Sequence, residues 1–405
     1  MKLDRFEFIF AALFWLCLAE VAYTFVGYPF LLILAGAMSQ VIRDIRYALR
    51  RHERRPSSRP VHSETDSPPG VSLVFAAHNE ALVIGDKMKN CEQLDYPREL
   101  LEIVIGCDAC DDGTPEAAQA YGLANVRVED YRERSGKPGV LNRTIPGARH
   151  EIVVLSDANT MLEPDAVSLL ARHFSDPRVG CVCGELRFTT REGAVKSEGA
   201  YWRYEQILKF FESRMNMMVG ANGGVFAIRR DLFEPLPRFA IIDDFLIAMQ
   251  IRSRGYKVVY DPQAVAYEET GADARLEFQR RIRIGAGAYH AMRYTWRMLL
   301  PTAGSVCFSY WSHKVMRWVA PFALAIALLS AILLSAHPFY LVCAAVGLSA
   351  ALAAWYGYRE EVHGRRIAGV FAIPYYFLSM NLALMLGFFR FVSGAQTSIW
   401  RRTAR

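Results

Sequence analysis

The sequence predicts an α/β domain on a mostly parallel sheet, with membrane-length apolar helices at both ends of the chain. Three observations carry this prediction. From Val71 onward, short continuous apolar runs alternate with helical stretches. Four long segments are almost free of charge, and acids and amides gather where the apolar runs end. Strands that are apolar throughout belong in a sheet covered on both faces, and helices between successive strands supply that cover.

The chain has 405 residues, 52% of them hydrophobic, and a net charge of +6 that is unevenly spread. Residues 8–38 carry only Glu20 as a charge, and residues 318–336, 338–358 and 367–389 carry none. A bilayer core takes about 20 apolar residues, so all four read as spans. The first is too long for a signal-peptide core and lacks a clear small-residue cleavage site, so it reads as a retained anchor at 1–40. Arg43, Arg46, Arg50, Arg51, Arg54 and Arg55 follow it, against Lys2 and Arg5 before it. The positive-inside bias therefore puts the middle of the chain in the cytoplasm. In the last segment, Pro374, Tyr375, Tyr376 and Asn381 leave a re-entrant course open beside a full crossing.

Residues 41–70 are rich in Arg, Ser and Pro and read as a flexible basic linker. Residues 71–290 form the α/β domain. Within it, VSLVFAA (71–77), LEIVIGC (101–107), VRVED (126–130) and EIVVLSD (151–157) are the predicted strands. Residues 291–317, with Trp296, Leu299, Leu300, Phe308 and Trp311 among polar neighbours, suit an interfacial amphipathic segment. Membrane helices at 318–392 and a basic tail at 393–405 follow.

In such sheets, ligands bind beyond the carboxyl ends of the strands. The polar residues fall there: His78-Asn79-Glu80, Asp108 with Asp111 and Asp112, and Asp157 with Asn159. Asp157 and Asn159 are two apart in an extended segment and so face the same way. Turn preference explains one ending of this kind; three in one sheet point to a site. No G-x-G-x-x-G follows a strand and no phosphate loop is present, so neither nucleotide fold is supported. Cys107 with Cys110 and Cys181 with Cys183 have metal-like spacing without zinc-knuckle turns, and read as reduced, packed thiols. A transporter is disfavoured because the spans lack acids and bases apart from Glu20.

VSLVFAAHNE, VIGCDACDDGT, RSGKPGVLN, LSDANT, NGGVFAIRRDLF and IIDDFLIAMQIRSRGYKVVYDP stand in the order and spacing of membrane-embedded family 2 glycosyltransferases. The chain resembles that family over roughly 71–287, and more weakly through the membrane segments to QTSIWRRTAR. The resemblance implies a GT-A fold and transfer of a sugar from a nucleotide-diphosphate donor, with a UDP-sugar expected, and inversion at the anomeric carbon. It also implies a bacterial inner-membrane protein with its catalytic domain in the cytoplasm.

The resemblance assigns roles, and chemistry supplies the reasons. A departing diphosphate needs a divalent metal or fixed cations, and Mg²⁺ or Mn²⁺ takes oxygen ligands. Asp157 is the first metal candidate. Asn159 departs from the usual Asp-x-Asp and brings an uncharged oxygen; it serves as a second ligand, or touches the donor or a metal-bound water. Glu80, Asp108 and Asp112 match positions that hold the nucleotide. Glu80 equally suits a helix first turn, where an acid complements the dipole. Lys137 meets the diphosphate or the sugar, or is solvated.

Asp244, second acid of an Asp-Asp pair opening a helix, matches the base that deprotonates the acceptor; its neighbour Asp243, with Asn222 and Gly223, lies on the acceptor side. Adjacent carboxylates raise each other's pKa, which favours a base near neutral pH. Arg280, Arg281 and Arg283 either clamp the diphosphate or form a basic interfacial stretch. Gln279 is followed by Ile282 and Arg283 where processive members of the family carry Arg-Trp, which favours single transfer.

The expected partners are a nucleotide-sugar donor, a lipid-linked or saccharide acceptor and the membrane, with no nucleic acid. A homo-oligomer or a polysaccharide-export partner is left open. The alternatives are a processive exopolysaccharide synthase and an inactive, nucleotide-sensing GT-A module.

Overall fold

A computed structural model describes residues 5–50, 68–189, 199–269, 274–363, 365 and 367–394. The chain divides into two compact units, one within 32–270 and 294–307, the other within 1–31, 271–293 and 308–396.

The first unit is built on an eight-stranded sheet. Its strands are β1 (Val71–Ala77), β2 (Leu101–Asp108), β3 (Val126–Tyr131), β4 (Ile152–Asp157), β5 (Thr160–Leu162), β6 (Val179–Thr189), β7 (Val225–Arg229) and β8 (Lys257–Glu269). They lie in the order β3-β2-β1-β4-β7-β6-β8-β5. β1 pairs in parallel with β2 and β4, and β2 with β3. β7 runs antiparallel to β4 and β6, β8 is parallel to β6, and β5 is antiparallel to β8. The four predicted strands are therefore the parallel half, and the sheet as a whole is mixed.

All seven residues of β1 are buried, as the unbroken apolar run requires. Leu73, Phe75, Ile103, Ile105 and Val154 join Ile84, Met88 and Leu170 in one core. Burying a side chain of this size stabilises by roughly 1.5–3 kcal/mol, so the parallel half is fixed mainly by its apolar faces. The register sets Ala77 beside Cys107 and Ala76 beside Asp157. Asp108 and Asp157 thus flank the end of β1, at the edge where the sequence placed the ligand.

Among the described residues, four helices are long and apolar enough to cross a membrane: Arg5–Leu49, Ser305–Leu333, Pro338–Val362 and Gly369–Val392. Phe8, Leu16, Val342, Leu352 and Ile373 are exposed on them, the pattern expected where lipid is the solvent. Two boundaries differ from the sequence reading. The helix Tyr28–Arg50 continues through 41–50, so the linker is shorter than expected; 51–67 lie outside the described residues. In place of an interfacial helix over 291–317, there are tight turns at Trp296–Leu299 and Pro301–Ala303, then a helical course from Ser305. Pro301 and the left-handed Gly304 (φ 62°) break the chain there. The last helix runs unbroken through Pro374, with Asn381 Nδ2 donating to the Phe377 carbonyl (2.8 Å), and no re-entrant turn forms. Most of the tail, 395–405, lies outside the described residues.

In the second unit, the helix Ala274–Tyr294 crosses Gly369–Val392 backbone to backbone. A Cβ on Gly387 would lie 2.7 Å from the Ala286 nitrogen and 2.9 Å from the Gly285 Cα. The stretch IGAGA is therefore a close-packing surface, of the kind small residues provide between membrane helices. Tyr289 adds a hydrogen bond from its hydroxyl to the Trp318 carbonyl (2.6 Å).

Candidate active site

The loop after β1 and the loop after β2 are tied to each other. Both contain left-handed non-glycine residues, Asn79 (φ 56°) and Ala109 (φ 52°), a conformation that clusters at functional loops. Asn79 Nδ2 donates to Asp111 Oδ1 (2.6 Å), and the Asp111 N–H donates to Asn79 Oδ1 (3.1 Å). Asp112 Oδ2 accepts the Ala81 N–H (3.0 Å), while its Oδ1 accepts the Thr114 N–H (3.1 Å). The Glu80 N–H donates to Thr114 Oγ1 (2.9 Å), and its carbonyl accepts from Val83 and Ile84, so Glu80 opens the helix Ala81–Glu92. Asp112 thereby braces two helix starts.

Asp108 is a brace as well. It is fully buried, and its oxygens accept from the Ser135 N–H (2.7 Å), the Ser135 hydroxyl (3.2 Å) and the Gly136 N–H (2.8 Å). Both oxygens are engaged with the start of the helix Gly136–Thr144, where exposed N–H groups attract an acid. These bonds seat the helix start that carries Lys137. Asp108→Ala should leave buried N–H groups unsatisfied, cost about 3 kcal/mol in chemical denaturation, and raise the donor KM. Unchanged stability and KM would contradict this.

Lys137 is the centre of the site. Its Nζ lies 2.7 Å from Asp157 Oδ1 and 3.0 Å from Asp243 Oδ2. Burial alone would lower its pKa, but the two carboxylates outweigh burial and hold the ammonium well above its ordinary value. Asp244 follows Asp243 at the start of the helix Asp243–Ser253, and its Oδ1 accepts the Phe245 N–H (2.8 Å). Burial first, and the Asp243 charge second, push Asp244 up to about 6, against the pull of Lys137, the Phe245 N–H and Lys209. The direction matches the sequence reading; desolvation rather than adjacency is the larger cause.

A Cβ on Gly223 would lie 3.4 Å from Asp244 Oδ2, so the Asn222-Gly223 turn and the Asp-Asp pair are neighbours. Asn222 Nδ2 donates to the Gly184 carbonyl (2.8 Å), and Lys209 Nζ donates to Asn222 Oδ1. Lys209 escaped the sequence reading. Its helix Gly199–Arg214 buries Glu205, Lys209 and Glu212 and exposes Ile207 and Phe210, the reverse of ordinary amphipathicity. That inversion, charges at i, i+4 and i+7, was the available signal.

Asn159 Nδ2 donates to Glu268 Oε1 (3.4 Å). An aspartate at this position would set a second carboxylate against Glu268. Asn159→Asp should therefore lower the melting temperature in EDTA and recover it with Mn²⁺. Equal melting with and without the metal would refute this. Among the described residues, no three His, Cys, Asp or Glu side chains form a self-sufficient metal site. Asp157, partly exposed, and the amide oxygen of Asn159 suit a hard cation that takes its remaining ligands from phosphate oxygens and water. The eight cysteines are free thiols.

Arg280, Arg281 and Arg283 lie on Ala274–Tyr294 in the other unit. Glu277 pairs there with Arg280 (3.4 Å) and Arg281 (3.1 Å).

A parallel half-sheet ending at the Asp157 turn, joined to a mixed half that presents the Asp-Asp helix, is the frame of a GT-A glycosyltransferase. The mannosyltransferase PcManGT from Pyrobaculum calidifontis, solved in complex with GDP-Man and Mn²⁺, has the same fold: TM-score 0.70 at 21% identity, over 95% of this chain and 100% of that one. Residues 68–287, more than half of the chain, match the family described as glycosyltransferase like family 2, and the chain belongs to that family.

Among relatives, the poly-beta-1,6-N-acetyl-D-glucosamine synthase of Staphylococcus aureus (strain COL) is 23% identical over 265 residues, 62% of this chain and 60% of that protein. The same enzyme of Staphylococcus epidermidis (strain ATCC 35984) is 22% identical over 260 residues, 62% of each chain. The match therefore spans about 60% of these relatives' length.

Proposed function

We propose that this chain is an inverting glycosyltransferase moving a sugar from a nucleotide diphosphate to a lipid-linked or saccharide acceptor at the membrane, with its α/β domain in the cytoplasm. The observation that carries the reading is the bridge from Asp157 through Lys137 to the Asp243–Asp244 pair, which sets a leaving-group site beside a raised-pKa base.

The Asp244 carboxylate takes the acceptor hydroxyl proton as that oxygen bonds to the anomeric carbon from the face opposite the diphosphate. The bond from the anomeric carbon to the diphosphate oxygen breaks, and its electron pair stays on the diphosphate. Lys137 neutralises that charge. Asp157 and Asn159 would hold a Mg²⁺ or Mn²⁺ ion, which supplies further positive charge to the leaving group. Asn222, Gly223 and Asp243 line the acceptor side, and Glu80, Asp108 and Asp112 hold the nucleotide in this reading.

The relatives named as poly-beta-1,6-N-acetyl-D-glucosamine synthases favour a second reading, processive synthesis. Ile282 and Arg283, standing in place of Arg-Trp, favour single transfer. The full chain in detergent or nanodiscs, given Mg²⁺ or Mn²⁺, native membrane extract and UDP-N-acetylglucosamine, UDP-glucose or GDP-mannose, separates them. Nucleoside diphosphate release with one sugar added, seen by mass spectrometry, is expected; a ladder of sizes means processive synthesis. Nucleotide binding without release from any donor means an inactive sensor.

A further inference from the structure

The helix Ala81–Glu92 carries a lysine on its buried face. Lys87 is in phase with Ile84, Met88 and Cys91, and its exposure is 0%. Its Nζ donates to Ser156 Oγ (3.0 Å) and to the Thr160 carbonyl (2.5 Å), and sits 5.2 Å from the Phe75 ring centroid. Neither hydrogen-bond partner is a carboxylate. Burying an ammonium costs several kcal/mol after relaxation, and a hydroxyl, a carbonyl and a ring face offset only part of that. Burial accordingly lowers the Lys87 pKa, with Cys91 and Asp157 pulling the other way.

A methionine would fill the same space at lower cost, so what the ammonium contributes lies in what it holds. Ser156 is the residue before Asp157, and Thr160 the residue after Asn159. The two bonds therefore bracket the turn Asp157-Ala158-Asn159. One helical turn further on, Asn90 repeats the arrangement: its Nδ2 donates to the Leu162 carbonyl (2.7 Å) and its Oδ1 accepts the Leu162 N–H (2.8 Å). The helix thus grips the β4–β5 connection from behind at two successive points, while Lys137 meets Asp157 on the side of the site.

We propose that Lys87 is a positioning residue for the donor diphosphate and its divalent cation, fixing the turn that presents Asp157 and Asn159. This rests on the metal reading given above. Groups that orient ligands from behind typically change metal affinity 10- to 100-fold when removed. The test uses the full-length protein and the binding of Mn²⁺ in the presence of UDP or GDP, read from the electron paramagnetic resonance of free Mn²⁺, beside kcat, KM and the melting temperature. Lys87→Met should weaken Mn²⁺ binding about tenfold. Ser156→Ala should weaken it less, and the double variant no more than Lys87→Met alone, because both act on one linkage.

A folded Lys87→Met with Mn²⁺ affinity within about twofold of the parent overturns the proposal, whatever its melting temperature. If Lys87→Met does not fold, unchanged affinity in Ser156→Ala overturns it, and weakened affinity supports it. Asp157→Ala separates the two levels. If Asp157→Ala keeps its Mn²⁺ affinity, the metal reading itself fails; if it loses Mn²⁺ while Lys87→Met does not, only the role of Lys87 fails.

Discussion

Asp244→Asn is expected to lower turnover by about three orders of magnitude while nucleotide binding persists, because general-base catalysis supplies roughly 10²–10⁴. The parent should lose activity as pH falls through about 6, where Asp244 takes up a proton and cannot accept another from the acceptor. The same shift predicts a stability change of the opposite sign. A carboxylate whose folded pKa lies above its unfolded value makes the folded state bind more protons between the two, so stability falls as pH rises through that window. Moving from 3.8 to about 6 corresponds to roughly 3 kcal/mol of destabilisation once pH exceeds 6. Asp244→Asn should therefore melt higher than the parent at pH 7.5 and show little difference at pH 4. An inactive variant with no such gain would mean that Asp244 is catalytic without being strained; an active variant would remove it from the mechanism.

The parallel half of this fold was legible because its strands are written in one composition. β1, β2 and β4 are apolar nearly throughout, and burial on both faces leaves no alternative. The mixed half was not legible. β6 contains Gly180, Gly184, Glu185 and Arg187, and β8 contains Asp261 and Pro262, so neither shows an apolar run or clean alternation. Both depend on long-range pairing for their identity.

Polar residues divide in a similar way. Where Asp108 and Asp112 stand was readable, since acids after strands mark the binding edge. What they bond was not, because it depends on which N–H groups the tertiary fold brings to them. Ser135 and Gly136 lie far from Asp108 in sequence, and only the packed structure shows that they occupy both of its oxygens. Lys87 was legible in principle, as a lysine in core phase between Ile84 and Cys91.

These observations give the site a common logic. Asp108 seats a helix start that carries Lys137 between Asp157 and Asp243, next in sequence to Asp244. Asp157, Asp243 and Asp244 would repel one another without it. The ammonium of Lys137 makes the cluster tolerable before a donor arrives and is already placed to meet a diphosphate.

Lys137→Met tests this directly. Without the ammonium, Asp244 loses the first of the attractions that oppose its raised pKa. The acidic limb of the pH–rate profile should therefore move upward from about 6, leaving less of the base ionised at pH 7. The leaving group also loses a fixed cation, and electrostatic stabilisers of this kind supply about 10²–10³ in turnover. Stability should respond differently. Lys137 has a folded pKa above its unfolded value, so its contribution is fully present below the unfolded pKa of lysine and is lost only as pH rises through the folded one. The loss of stability from its own charge should thus be constant from pH 5 to pH 9. Because Asp157 Oδ1 no longer faces an ammonium 2.7 Å away, Mn²⁺ without nucleotide should raise the melting temperature of Lys137→Met more than that of the parent. An unchanged acidic limb with turnover within about tenfold of the parent would return Lys137 to the role of a solvated lysine and separate the Asp157 site from the Asp243–Asp244 pair.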